Sequence, residues 1–257
     1  MNKFSFNIQS DGLAFLTLNS EPVNALSNDF VKSLAELFDE ISSDSKIKVL
    51  IISSSIKHFC AGADLKERSD LSLEEIKINV TSIRECFGRL ESLPFPTIAA
   101  IQGSALGGGL ELALCCDFRI AEDSAILGLT ETSLGIIPGA GGTQRLPRLI
   151  GFSRAKYWIF SARKFSAEEA FVDGAIDFLS NKGELLETAI DLADELMENA
   201  PLALRASKFA ISNGFHLPLN DALRIEEEGY QMILNSADRI EALNAFSEKR
   251  SPKWSAK

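Results

Sequence analysis

Hydrophobic and polar positions repeat along this chain with two periods, which predict strands and helices in alternation. Alternation or unbroken β-branched runs predict strands at residues 4–8, 13–18, 48–53, 97–101, 117–121 and 125–127. A period of 3.6 predicts helices at residues 30–41, 76–90 and 107–116. The first two strands flank an Asp-Gly turn and form a hairpin. Strands that alternate with helices are typical of an α/β fold.

The pattern changes after about residue 176, where the predicted strands stop. Helical spacing then covers residues 185–197, 202–211, 221–234 and 238–246. The sequence Asn199-Ala200-Pro201 separates the first of these helices from the rest. We therefore predict a core that carries the catalytic site over residues 1–197, followed by a C-terminal helical region over residues 198–257.

Composition and charge limit the classes of protein to consider. A chain of 257 residues, with 46% hydrophobic and 24% charged residues, buries a large core without disulfides or metals. The net charge of -10 repels phosphate backbones, so we expect no nucleic-acid partner. A small anionic ligand bound by a local basic patch remains compatible with this charge.

The four cysteines, Cys60, Cys86, Cys115 and Cys116, form no C-x-x-C pair, which indicates reduced thiols. The N-terminal residues lack the apolar segment of a signal peptide, and no run of about 18 apolar residues predicts a membrane span. We expect a cytoplasmic protein without a membrane partner, or a mitochondrial matrix protein if a transit peptide precedes this sequence.

Two stretches of small residues expose backbone N–H groups. HFCAGADLKE (residues 58–67) follows a predicted strand, and its small residues let a ligand approach the main chain, although an ordinary tight turn explains it equally well. GSALGGGLELA (residues 103–113) places three glycines at the start of a helix, where unpaired N–H donors favour negative charge. Neither stretch matches a nucleoside triphosphate loop or a dinucleotide fingerprint.

Two glutamates lie in apolar, glycine-containing segments. Glu111 follows the three glycines, and Glu131 precedes a second glycine-rich helix start, IIPGAGG. Capping of a first helical turn is the alternative for Glu111. Two carboxylates at one site typically move a proton and activate a water. The only histidines, His58 and His216, form no metal-binding pattern, and no G-x-S-x-G motif is present, so we expect neither a metal site nor a serine nucleophile.

Taken together, FCAGADLKE, ALGGGLELA with its following CCD, and LGIIPGAGGTQRL resemble the enoyl-CoA hydratase/isomerase (crotonase) superfamily. The resemblance runs from PVNALS to AFSEKR and covers nearly the whole chain. It implies a spiral of β-β-α units with a C-terminal helical trimerisation region, and a homotrimer or a homohexamer built as a dimer of trimers. FCAGADLKER, GLTETSLGIIPG, IFSAR and RIEALNAFSEKR are most similar to the AU-binding methylglutaconyl-CoA hydratase branch. That branch has a lysine-rich helix linked to RNA binding, whereas the matching residues here, 28–46, contain more acidic than basic residues.

The resemblance also implies roles for individual residues. The backbone N–H groups of Ala63 and Gly108 match an oxyanion hole for a thioester carbonyl, and Glu111 and Glu131 match the two hydratase glutamates. The positions that match substrate or CoA binding are Ala61, Ala63, Asp64, Leu65, Lys66, Gly107, Gly108, Pro138, Gly139 and Lys249. From composition alone, however, the basic tail that contains Lys249 is a solvated end of the chain.

The function implied is hydration of the C2–C3 double bond of a 2-enoyl-CoA thioester, with Glu111 as the water base and Glu131 as the proton donor at C2. An enoyl-CoA isomerase or another acyl-CoA enzyme of this fold is the alternative, but the presence of both glutamates favours the hydratase. No metal or redox cofactor is expected, and coenzyme A is part of the substrate. Short straight-chain, branched and methylglutaconyl acyl groups are all compatible with the sequence.

Overall fold

A computed structural model of the chain describes residues 3–257, and two sheets organise it. The strands are β1 (Phe4–Ile8), β2 (Leu13–Leu18), β3 (Val49–Ser54), β4 (Thr97–Ile101), β5 (Ser104–Leu106), β6 (Phe118–Glu122), β7 (Ile126–Gly128), β8 (Phe165–Ser166) and β9 (Phe178–Ser180). The helices are α1 (Asn28–Ile41), α2 (Leu65–Ser69), α3 (Leu73–Glu91), α4 (Gly108–Ala113), α5 (Gly142–Ile150), α6 (Phe152–Ser161), α7 (Ala167–Asp173), α8 (Leu185–Met197), α9 (Pro201–Gly214), α10 (Leu219–Gln231) and α11 (Ala237–Glu248). A 3-10 helix spans Glu131–Leu134.

The larger sheet has the strand order β1-β2-β3-β4-β6-β9, and the smaller sheet has the order β5-β7-β8. β1 and β2 form the predicted antiparallel hairpin, with Phe4 opposite Leu18. In the rest of the larger sheet, from β2 through β3, β4 and β6 to β9, neighbouring strands are parallel. For example, Leu50 of β3 pairs with Thr97 of β4. After β4 the chain adds β5 to the smaller sheet, forms α4 and returns to the larger sheet as β6, which makes a β-β-α unit.

Apolar side chains are buried on both faces of the larger sheet, as parallel strands require. One face packs against helices α1 and α3, which contribute Phe30, Phe38 and Phe87. The other face packs against α8, whose Leu185 and Ala189 contact the strands. Burial of each large side chain stabilises the fold by roughly 1.5–3 kcal/mol. The core thereby holds in place the strand ends that carry the site.

The helices after residue 197 cover one side of this core. The Arg205 Nη2 donates a hydrogen bond to the Ile47 carbonyl at 2.9 Å. The Lys208 Nζ pairs with the Asp117 carboxylate at 2.6 Å. These contacts attach α9 to the loops at the ends of the parallel strands.

The two tryptophans lie in different parts of the molecule. Trp158 is fully buried in the core, and its ring stacks on Phe165 with the ring centroids 3.9 Å apart. Trp254 lies in the C-terminal tail, where its indole N–H donates to the Glu198 carbonyl at 2.8 Å. The tail is thereby attached to the end of α8.

The predicted α/β pattern is observed, but individual elements differ. Helices α2, α6 and α7 and strand β8 lie where no element was predicted. β9 follows residue 176, where no strand was expected, and pairs with β6 at the sheet edge. β5 lies in the first residues of GSALGGGLELA, just before the glycine-rich helix start, where no strand was predicted. Both strands have only three residues, too few to show a period. The helix predicted to reach Cys116 ends at Ala113, because the N–H groups of Cys115 and Cys116 bond only three residues back, in a tight turn. The division at residue 197 stays a prediction.

Candidate active site

A cavity of about 890 Å³ lies between α2, α3, the start of α4 and the segment from the 3-10 helix to the start of α5. Both predicted catalytic residues, Glu111 and Glu131, line it. The predicted binding residues that also line it are Ala61, Ala63, Leu65, Gly107, Gly108, Pro138 and Gly139. The fold therefore brings three separate sequence motifs to one cavity.

Three predicted binding residues do not line this cavity. The Asp64 carboxylate accepts the backbone N–H groups of Lys66 and Glu67 and so caps α2. Lys66 lies in that first turn and is exposed. Lys249 ends α11 in a left-handed conformation, with a φ of 54°. Any contact of these three residues with substrate stays a prediction.

A buried asparagine holds the loop before α2 in place. The Asn24 side-chain amide donates to the carbonyl of Phe59 at 2.9 Å and to the hydroxyl of Ser54 at 2.8 Å. The loop also forms backbone bonds, from Ala61 N–H to the carbonyl of Val23 at 3.0 Å and from Leu26 N–H to that of Gly62 at 2.9 Å. Sequence analysis missed Asn24, although a polar residue in the short PVNALS segment could have indicated it.

Two backbone N–H groups are adjacent at the cavity wall. A Cβ atom built on Gly62 would lie 3.0 Å from the Gly108 nitrogen, so the loop and the first residue of α4 are in contact. Within residues 3–257, neither Ala63 N–H nor Gly108 N–H donates a hydrogen bond, whereas the neighbouring Leu26 and Gly107 N–H groups do. Two unpaired donors side by side can stabilise one oxyanion.

Glu111 is held by the loop that precedes α5. Its Oε1 atom accepts the N–H groups of Ala140 at 2.9 Å and Gly142 at 2.8 Å, and the residue is only 3% exposed. Burial raises the pKa of Glu111, and the two hydrogen bonds oppose this rise because they favour the ionised form. The positive charges of Arg145 and Arg68 act in the same direction as the hydrogen bonds. The carboxylate is thus fixed in direction and supported as an anion.

Glu131 lacks the hydrogen-bond donors that hold Glu111. Its Oε2 atom is shielded from solvent and has no hydrogen-bond donor within residues 3–257. Burial, together with the negative charge of Glu111, raises the pKa of Glu131 to about 7. Because two N–H groups donate to Glu111 and none reaches Oε2 of Glu131, a proton shared by the pair is favoured on Glu131.

Two arginines at the cavity were missed by sequence analysis. Arg68 donates to the Asn79 side-chain oxygen at 2.9 Å through Nη2, while its buried Nε has no acceptor within the described residues. Arg84 is exposed and lines the same cavity from α3. The positive charge of Arg68 opposes the rise that burial causes in the pKa of both glutamates. Arg68 directly follows the ADLKE motif, but the sequence does not show which way its side chain points.

The opposite wall of the cavity is apolar. Ile76, Val80 and Ile83 lie at helical spacing on α3 and face the cavity. Across from them, Ile136 and Ile137 are 41% and 67% exposed at the rim. Exposed apolar side chains that border a cavity mark a ligand-binding surface, here one that fits an acyl chain or another apolar group.

This chain is similar to several known proteins. The enoyl-CoA hydratase/isomerase family model matches residues 9–257. Human mitochondrial methylglutaconyl-CoA hydratase is 45% identical over 96% of this chain and 74% of its own. Human mitochondrial enoyl-CoA hydratase domain-containing protein 2 is 44% identical over 91% of this chain and 82% of its own. The crystal structure of an enoyl-CoA hydratase from Bacillus anthracis superposes with a TM-score of 0.96 at 44% identity and covers 100% of both chains.

The chain belongs to the enoyl-CoA hydratase/isomerase family. The predicted family and the crotonase-like α/β fold are therefore confirmed, and so is the prediction of an enoyl-CoA hydratase. None of these comparisons tests the role of an individual residue. No helix within residues 3–257 is both long and apolar enough to cross a bilayer.

Proposed function

We propose that this protein adds water across the C2–C3 double bond of a 2-enoyl-CoA thioester. The observation that carries the proposal is a pair of carboxylates in one cavity, one held by two N–H groups and the other with an unpaired oxygen, beside two unpaired N–H donors. The family and the similarity to enoyl-CoA hydratases support it.

The steps follow from the chemistry of an unsaturated thioester. The thioester oxygen accepts the N–H groups of Ala63 and Gly108, which makes C3 electrophilic. Glu111 takes a proton from water while the water oxygen bonds to C3, and the double-bond electrons move onto the thioester oxygen as an enolate. Glu131, protonated near neutral pH, gives its proton to C2 as the enolate collapses. The proton that Glu111 took from water then passes to Glu131 through solvent, which restores both groups. Only water and protons are moved, so the proposed reaction needs no metal or redox cofactor.

Glutamine substitutions test the carboxylate pair. Glutamine keeps the size of the side chain but cannot exchange a proton, so Glu111→Gln and Glu131→Gln should each lower kcat on crotonyl-CoA by about 100-fold or more. The absorbance of the enoyl thioester measures hydration. The matched control is Glu85→Gln on the exposed face of α3, which should retain wild-type rates.

The isomerase alternative predicts a different result. In an isomerase, Glu111→Gln would spare conversion of a 3-enoyl to a 2-enoyl thioester while Glu131→Gln abolished it. Hydratase activity within about threefold of wild type in either variant would show that the substituted residue is not the catalytic acid or base. Such groups contribute far more than about threefold to the rate.

We also propose that the acyl group carries a carboxylate, as methylglutaconyl-CoA does. Arg68 supports this, because it lines the cavity and only its Nη2 donates a side-chain hydrogen bond within residues 3–257. Guanidinium groups bind carboxylates through two parallel hydrogen bonds. The similarity to human methylglutaconyl-CoA hydratase points to the same class of substrate.

The ratio of kcat/KM for glutaconyl-CoA to that for crotonyl-CoA tests Arg68. We expect Arg68→Met to lower this ratio by at least tenfold, since hydrogen bonds to charged groups contribute about 1.5–3 kcal/mol. The matched control, Arg84→Met, removes the same charge from the rim of the cavity and should change the ratio by less than about threefold, within the range of a solvent-exposed ion pair. Equal ratios in wild type and Arg68→Met would argue against a carboxylate subsite at this residue.

We further propose a homotrimer or homohexamer assembled through the C-terminal helices. Within α9–α11, apolar side chains that are at least half exposed include Leu219, Met232, Leu243 and Phe246. Apolar surface of this extent on a soluble domain indicates an interface. Light scattering at micromolar concentration tests assembly, and a monomeric mass would contradict it. Full activity after deletion of residues 198–257 would contradict a role of these helices in the active enzyme.

A reducing compartment, the cytoplasm or the mitochondrial matrix, is proposed from the thiols. All four cysteines are free and buried. Burial raises the pKa of Cys60 to about 12, so this thiol stays protonated and inert at neutral pH. Fractionation of cells that express the protein from its native gene would test the compartment, and an extracellular location would contradict it.

A further inference from the structure

The geometry points to Arg145, on the first turns of α5, as a positioning residue for Glu111. The inference rests on the proposed function, in which Glu111 is the water base. We name residues 138–142 the glycine loop. Its Ala140 and Gly142 N–H groups hold the Glu111 carboxylate at 2.9 and 2.8 Å. Arg145 contacts this loop on the side away from the substrate cavity, where it lines a second cavity instead.

Arg145 binds the peptide unit between the two donors. Its Nη1 donates to the Ala140 carbonyl at 2.9 Å, and that carbonyl belongs to the peptide that links Ala140 to Gly141. The guanidinium also lies against Gly141, because a Cβ at this position would overlap Nη1 of Arg145. Gly141 has a φ of 114°, a conformation that glycine adopts readily. Arg145 thus restrains a segment whose sequence otherwise permits many conformations.

Glu91 holds the arginine in turn. The Arg145 Nε and Nη2 donate to the two carboxylate oxygens of Glu91 at 2.9 and 2.6 Å. Arg145 is only 17% exposed, so the pair has a defined geometry. Glu91 is the last residue of α3, the helix that supplies the apolar wall of the substrate cavity. A continuous chain of contacts therefore connects α3, through Arg145 and the glycine loop, to Glu111.

Arg145 also acts on Glu111 through its charge. The charged or titratable groups that face Glu111 are Arg145 on α5, Arg68 on α2, Cys115 just after α4 and Glu131 on the 3-10 helix. The two arginines lower the pKa of Glu111, whereas burial raises it. Loss of Arg145 removes one opposing charge and should raise the pKa of Glu111. A base that ionises at higher pH shifts the acid limb of the rate profile upward.

The kinetic test compares Arg145→Met, Arg145→Lys and Arg148→Met. Misplacement of a catalytic group by about 1 Å costs up to about 100-fold, so we expect Arg145→Met to lower kcat on crotonyl-CoA by about 10- to 100-fold, with KM within about threefold. The acid limb of kcat should move to higher pH. Arg145→Lys keeps the positive charge but lacks the planar set of N–H donors of a guanidinium. Compared with Arg145→Met, it should return the acid limb to its wild-type pH without restoring kcat. Arg148→Met, an exposed arginine on the same helix, should behave like wild type.

Hydrogen exchange tests positioning independently of catalysis. In Arg145→Met the amides of Ala140 and Gly142 should exchange at least tenfold faster than in Arg148→Met. Glu91→Gln changes a half-exposed residue and is the second variant in case Arg145→Met folds poorly. It should accelerate exchange of the same amides to a smaller extent. Unchanged exchange in both variants, or equal kcat in Arg145→Met and Arg148→Met, would overturn the inference. Wild-type protein that fails to hydrate crotonyl-CoA would instead overturn the proposed function, while the exchange result still decides the role of Arg145.

Discussion

The carboxylate of Glu131 occupies the space that a side chain at Gly107 would need. A Cβ atom built on Gly107 would lie 3.0 Å from Oε1 of Glu131, closer than real Cβ contacts normally come. Gly107 also has a φ of 52° and a ψ of -124°, and it immediately precedes α4. The residue at the start of the glycine-rich helix thus sets the position of a carboxylate 24 residues later in the chain.

We expect Gly107→Ala to lower kcat by about tenfold or more, because the added methyl group displaces Glu131 from C2 of the substrate. The unfavourable backbone conformation should also cost about 1–3 kcal/mol of stability. Steady-state kinetics and thermal unfolding measure the two effects. The control is Gly88→Ala in α3, where a Cβ meets nothing within 4 Å and helix propensity should add about 0.4–1 kcal/mol. Equal kcat values in the two variants would refute the contact.

The raised pKa of Glu131 predicts a pH dependence of stability. Its folded-state pKa of about 7 lies above the ordinary 4.5, so between these values the folded protein binds a proton that the unfolded chain lacks. The free energy of unfolding should therefore fall as pH rises through this window, by at most about 3 kcal/mol, and the Glu131 contribution should level off above it. Denaturant titrations of wild type and Glu131→Gln measure the difference. A constant difference between pH 4.5 and 7 would contradict the raised pKa.

The same pKa predicts an alkaline limb in catalysis. If protonated Glu131 donates to C2, kcat/KM should decline as pH rises above about 7, since this ratio reports the free enzyme. Initial rates at low crotonyl-CoA concentration between pH 5 and 9 give the profile. An increase of kcat/KM up to pH 9 would assign the proton to a different group.

A proline at position 108 would eliminate the backbone N–H and still fit the start of α4. Proline is tolerated at the first position of a helix, where Gly108 lies, but it has no N–H. Gly108→Pro should lower kcat about 100-fold or more, the usual loss for one oxyanion donor. Gly108→Ala is the control, since it keeps the N–H and adds a methyl group 3.0 Å from Leu26. If proline and alanine give the same rate in folded proteins, the thioester oxygen binds elsewhere.

Surface charge predicts no specific RNA binding. The net charge is -10, and α1, the helix that matches the lysine-rich helix of the AU-binding branch, has no basic residue in its last turn. A gel shift with AU-rich RNA at physiological salt should show no complex below micromolar protein. A nanomolar complex that weakens with added salt would prove the opposite.

The two glutamates could be identified from sequence because an isolated charge among apolar and glycine residues has few structural explanations. The Ala63 and Gly108 donors were assigned by resemblance, since a pattern of small residues does not show which N–H groups remain unpaired. The contact between Arg145 and Glu91 joins residues 54 positions apart, and that from Asn24 to Phe59 joins residues 35 apart. Such contacts depend on how helices and loops meet in three dimensions, which local periodicity does not encode.

The placement of the two tryptophans gives the protein two built-in optical probes. Trp158, stacked on Phe165 in the core, should report global unfolding by its emission. Trp254, bound to the carbonyl of Glu198, should report release of the tail before the core opens. Single Trp→Phe variants separate the two signals. They allow attachment of the C-terminal segment to be followed in real time, in the same sample in which turnover is recorded.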